Sequence, residues 1–165
     1  PRVGRPLMAS YGVPTDPAGA LPWSWAEERL VANRNYWVVT VNGAGRPAAT
    51  PVWGVWLPGS ATFVFSCAPD ARKARNIAAN PQVCVMVDDT IECVSVEGVA
   101  SALDDESSRI AAATAYADKY APPEERAAMR EFMLGHAVFE VRPVKAVAII
   151  EREEEFASKA TRWTW

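Results

Sequence analysis

The chain has 165 residues, half of them hydrophobic, which suits one domain with a substantial core, and its net charge is -3. That acidic balance argues against nucleic acid or an anionic membrane surface as the main partner, since both need a basic face. Cys67, Cys84 and Cys93 show no CxxC spacing and sit in apolar runs as small hydrophobes, no run nears the roughly 18 residues of a membrane span, and "PRVGRPLMAS" lacks the apolar core of a secretory signal, so the expected compartment is the cytoplasm.

Residues 1–21 are rich in Pro and Gly without periodicity and read as an N-terminal arm, laid on the surface or partly disordered. The domain is expected over residues 22–165. It opens with a helix from about Ser24 to Asn33, for which Ser24 and Glu27 have the spacing of a capping box. From Tyr36 the pattern turns to strands: "YWVVTVN", the turn "NGAGR", "PAATPVWGVWL", "PGS" and "ATFVFSC" predict an antiparallel meander. In "PVWGVW" the period-2 alternation sends Trp53 and Trp56 to opposite faces, one toward the interior and the other toward an interface or pocket.

A short helix over 70–79 follows, with Asp70 as its expected N-cap, then the Val-rich strands "PQVCVMVDD" and "IECVSVEGVASAL". Two Ala-rich helices separated at Pro122 and Pro123 lead into the strand "HAVFEVRPVKAVAIIE". The fold class is therefore mainly β with peripheral helices, an antiparallel sheet closed or nearly closed into a barrel. The aromatic, basic end "TRWTW" must dock on its own body or on a second subunit.

Chemistry concentrates in "SCAPDARKARNIAANP". Arg72, Lys73 and Arg75 fall in the first helical turns, where cations oppose the helix dipole at a cost of about 0.3 to 1 kcal/mol each. Charge pattern alone leaves two readings level: a phosphate held by helix N–H groups and basic side chains, or a solvated basic face paired with carboxylates. His136 is the only histidine and reads as structural, no triad or nucleophile elbow is visible, and "EREEE" reads as a solvated face rather than a metal site. An anion cradle without an acid–base constellation suits a bound cofactor that brings its own chemistry.

The order of parts, from "VTVNGAGRPAATPVWGVWL" through "FVFSCAPDARKARNIAANPQVCVMVDD" and "VEGVA", a helical insert ending "KY", to "VFEVRPVKAV" and "TRW", resembles the pyridoxamine-phosphate-oxidase-like flavin/deazaflavin split-barrel oxidoreductases. The resemblance covers about residues 22–165 and is most specific at "RKARN" and "NP". It implies a six-stranded split β-barrel of the FMN-binding type, a homodimer with cofactor sites at the subunit interface, and FMN or coenzyme F-420 as cofactor. By the same resemblance Arg72, Lys73, Arg75 and Asn76 match the phosphate motif, and Ser66 and Cys67 flank the phosphate end. Thr50, Pro51, Val52 and Trp53 would run beside the ring, with Arg162 and Trp163 reaching toward the partner's cofactor. The implied activity is hydride transfer to or from a small-molecule substrate. The alternative is a non-catalytic holder of flavin, haem or another tetrapyrrole, and the additional C-terminal Arg/His substrate motif of true pyridoxamine-phosphate oxidases is missing.

Overall fold

Nine strands form one antiparallel sheet in this computed structural model, which describes residues 1–165. They are β1 (Arg2–Gly4), β2 (Tyr36–Val41), β3 (Pro47–Val52), β4 (Gly54–Leu57), β5 (Thr62–Cys67), β6 (Gln82–Val87), β7 (Glu92–Ala102), β8 (Ala137–Ile150) and β9 (Thr161–Thr164). Five α-helices lie between them: α1 (Trp23–Ala32), α2 (Arg72–Ala79), α3 (Glu106–Tyr120), α4 (Arg126–Leu134) and α5 (Glu153–Lys159).

Pairing runs β3–β2–β6–β7–β8–β5–β4, so the two ends of the path, β3 and β4, are chain neighbours joined through Trp53. The ring is closed there by the covalent chain and not by a hydrogen-bonded ladder. Counting β3 and β4 as one interrupted run, it has the six runs of a split barrel. The split shows on one edge of β8, where Ala137–Val141 pairs with β5 and Lys145–Ala148 pairs with β9.

The barrel interior holds Tyr36, Val38, Phe63, Phe65, Val85 and Trp163, with Leu30 of α1 closing one end. The outward-facing Val64 of β5 meets a second cluster formed by Ala112, Ala113 and Tyr116 of α3 with Met133 of α4. Both faces of β5 are therefore covered, which explains a continuous apolar run where a half-exposed strand would alternate.

Helix α1 lies within one residue of the expected range, but the capping box does not form. Pro22 occupies the N-cap position, and Glu27 instead accepts a hydrogen bond from Trp56 Nε1 at 3.0 Å. Trp56 is the interior tryptophan, as the alternation requires, while Trp53 is 41% exposed. The N-terminal segment forms β1, whose Val3 lies across from Trp163 of β9. "EREEE" leads into α5, with Glu153, Glu154 and Glu155 in its first turn where the dipole favours them. No helix is long and apolar enough to cross a membrane.

Candidate functional site

Strand β5 ends in half-buried Ser66 and Cys67, and after four intervening residues α2 begins at Arg72. Ala71, not Asp70, occupies the N-cap position, and no side chain caps the helix. Asp70 contributes its backbone carbonyl instead, which accepts from the Arg75 guanidinium. Ala74, Asn76 and Ile77 form the buried face of α2, and Asn76 Nδ2 donates to Thr40 Oγ1 of β2 at 2.9 Å. Asn76 thus fixes the helix to the barrel, and the register of α2 leaves Arg72 and Arg75 exposed and Lys73 half-buried.

None of these three cations pairs with a carboxylate, although six ion pairs form elsewhere in the chain. Burial pushes the Cys67 thiol above its ordinary value, while the nearby Lys73 ammonium and the Ala74 N–H pull the other way. The end of β5 is therefore a neutral thiol beside an uncompensated positive surface.

The register brings the second group of predicted residues close to this end. Gly54 lies across from Phe65, so the β3–β4 junction at Trp53 is adjacent to the Ser66–Cys67 end of β5. Thr50, Pro51 and Val52 pair with Val38, Trp37 and Tyr36 of β2, leaving the other edge of β3 without a strand partner. The junction needs a glycine, because a Cβ on Gly54 would stand 2.2 Å from Phe63 Cζ and 2.9 Å from the Val64 carbonyl oxygen.

The end of α3 holds this junction in place. Tyr120 Oη accepts from the Gly54 N–H at 3.0 Å, and its ring stacks on Trp53 with centroids 4.9 Å apart and planes 4° from parallel. The Arg34 guanidinium lies 5.1 Å from the Trp53 ring and 5.6 Å from the Tyr120 ring. Lys119 Nζ donates to Tyr36 Oη at 2.6 Å and to the Gly54 carbonyl at 3.3 Å. Burial lowers this ammonium from 10.5 to about 8 and raises the Tyr36 hydroxyl well above the tyrosine range. Beyond Trp53, an apolar hollow of about 380 Å³ is walled by Met129 and Phe132 of α4.

Sequence reasoning missed Arg34, Tyr36, Lys119 and Tyr120 as parts of this region. The only signal was the "KY" that ends the helical insert, and periodicity assigns such a pair to the helix surface.

The remaining predicted residues lie elsewhere. Trp163 is 1% exposed and packs edge-on to Trp23 at 5.4 Å within its own subunit. Arg162 lies beneath the N-terminal segment. His136 precedes β8, and its Nδ1 donates to the Phe132 carbonyl at 2.6 Å. The three cysteines are free, and no group of His, Cys, Asp and Glu is placed to hold a metal ion.

The family model described as pyridoxamine 5'-phosphate oxidase matches residues 26–155, well over half of the chain. The chain belongs to the pyridoxamine 5'-phosphate oxidase family. No curated protein matches its sequence. Among solved structures, a conserved hypothetical protein from Mycobacterium tuberculosis is similar with a TM-score of 0.71 and 16% identity, over 82% of this chain and 89% of that one. HutZ, the heme storage protein of Vibrio cholerae, is similar with a TM-score of 0.56 and 20% identity, over 73% and 86% of the two chains. A protein described as an F-420 reductase is similar with a TM-score of 0.54 and 25% identity, over 73% and 94%. Membership of the pyridoxamine 5'-phosphate oxidase family accounts for the split barrel, and names on this fold range from heme storage to F-420 reduction.

Proposed function

We propose that the chain is an oxidoreductase that binds F-420 or FMN and transfers hydride to or from a small-molecule substrate. The observation that carries this reading is the set of unpaired cations at the start of α2. A structural ion-pair network would supply carboxylates to Arg72, Lys73 and Arg75, and none is present. Helix N–H groups and basic side chains at one helix end suit a phosphate, which both coenzymes carry.

On this reading Arg72 and Lys73 fix the phosphate, Arg75 serves the longer anionic tail of F-420, and Ser66 and Cys67 flank the phosphate end. Asn76 contributes by anchoring α2 to Thr40. The edge of Thr50, Pro51, Val52 and Trp53 seats the ring, and the Tyr120 and Lys119 contacts keep that edge in register. When bound, such a ring supplies hydride chemistry, and the protein supplies position and exclusion of water. The chain would act as a homodimer, as the family resemblance implies.

The test is titration of FMN and F-420 separately into the purified chain, followed by absorption and fluorescence. Micromolar binding of one is expected, and Lys73→Ala weakens it by about 1.5 to 3 kcal/mol, the range of a charge-assisted hydrogen bond, with the melting temperature unchanged. Failure of both to bind overturns the reading.

A haem- or tetrapyrrole-holding role is the second reading, supported by the heme storage protein among the similar structures. Donation from Nδ1 to the Phe132 carbonyl leaves His136 Nε2 as the nitrogen free for an axial bond. A Soret band on haem addition that is lost in His136→Ala would favour it.

A further inference from the structure

A cavity of about 440 Å³ lies between the N-terminal segment and β9, within the roughly 300–1,000 Å³ range of small-molecule sites. Its charged lining is Arg5 and Arg162, and no aspartate or glutamate lines it. The carboxylate nearest in sequence, that of Asp16, accepts from the Ala18 N–H at 2.8 Å.

The two guanidiniums differ in their state. Arg5 is 5% exposed and is engaged, donating to the carbonyls of Asp16, Ala18, Ser158 and Ala160 at 3.0, 2.6, 2.9 and 2.8 Å. Arg162 is half-buried and has no ion pair. Gly4 lies directly across from it in the β1–β9 register, and a Cβ there would approach Arg162 Nη2 to 3.3 Å. The missing side chain at residue 4 leaves room for the guanidinium on the cavity side. Val3, Met8 and Val13 make much of the remaining wall apolar.

An arginine with open donors in a partly enclosed apolar cavity calls for an anion, and the walls call for hydrocarbon. We propose that this cavity binds a small amphiphilic anion, a carboxylate or phosphate monoester on an aliphatic chain, with Arg162 holding the head group. The proposal is separate from the ring cofactor and does not depend on it.

The experiment titrates the full chain with sodium octanoate, octyl phosphate, 1-octanol and inorganic phosphate, read by backbone amide NMR shifts. Binding of octanoate or octyl phosphate with shifts at Gly4 and Arg162 is expected, and the tighter of the two names the head group. Arg162→Gln weakens it by about tenfold or more, the size of one charge-assisted contact, while 1-octanol and inorganic phosphate bind more weakly. Thr15→Glu, which places a carboxylate in the cavity wall to compete for Arg162, weakens binding similarly and serves as a second variant should Arg162→Gln disturb the fold. Lys73→Ala leaves it unchanged. Octanoate and octyl phosphate binding no tighter than 1-octanol, binding unaltered in both cavity variants, or shifts confined to α2 overturns the proposal.

Discussion

Lys119 keeps a half-buried ammonium whose hydrogen-bond partners are a phenol and a carbonyl, with no carboxylate paired to it. Because burial lowers its pKa from 10.5 to about 8, the unfolded chain holds a proton between those values that the fold has released. Its contribution to stability is therefore least favourable below pH 8 and improves as the pH rises toward 10.5. The buried thiols act in the opposite direction: Cys84, pushed from 9.0 up to about 11, costs stability as the unfolded thiol ionises first. Comparison with Lys119→Met cancels that background. The expected result in urea unfolding is that wild type gains on Lys119→Met between about pH 7 and about pH 10, whereas parallel profiles would show that Lys119 titrates as it does in water. At this scale the sequence was legible in kind more than in partner. Arg72, Lys73 and Arg75 stood out because cations in the first helical turns oppose the dipole, whereas Glu27 and Asp70 were assigned to caps by spacing and are used otherwise. A side chain free to choose between a local N–H and the more distant Trp56 leaves no mark of that choice in spacing.

Among the elements, β1 shows why short strands escape sequence reading. Its three residues cannot display a period, and the side chain that fixes it works over long separations. Arg5 reaches the carbonyls of Ser158 and Ala160 at the end of α5, more than 150 residues away, and those of Asp16 and Ala18 in the loop before α1. Four donations to backbone carbonyls tie both chain ends together. Arg5→Ala is expected to lose about 2 to 4 kcal/mol, more than one such bond because several oxygens are left unpaired together. The check is hydrogen exchange: the Gly4 and Trp163 amides lose protection first, while those of β6 and β7 keep it. Uniform loss across the sheet would mean that the segment belongs to the same cooperative unit as the barrel. The break of the second long run into β3 and β4 was also hidden, because it arises where Phe63 and the Val64 carbonyl crowd Gly54 from another strand.

At the scale of the whole molecule, the ladder order leaves one sheet face uncovered. Alternation in β2, β3, β6 and β7 places Pro51, Trp37, Met86 and Ser95 in one outward row, and Ala49, Val39, Cys84 and Glu97 in the next. Trp37 is 40% exposed and Val99 is 37% exposed, although the helices already cover the opposite side of the sheet system at β4 and β5. The fold class was readable from strand count and turn chemistry, but this face was not, since it depends on which strands become neighbours. Under the proposed dimer it is the surface for a second copy, and a stable pairing of this kind buries roughly 1,200–2,000 Å². Trp37→Glu places a charge at the centre of that face without touching the core. Light scattering on the eluting protein should give twice the chain mass for wild type and a single chain mass for Trp37→Glu at micromolar concentration. If the ring site is shared between subunits, FMN or F-420 affinity falls in the same variant. Wild type eluting as a single chain would remove the dimer, and undiminished coenzyme binding by a monomeric Trp37→Glu would place the whole ring site within one subunit.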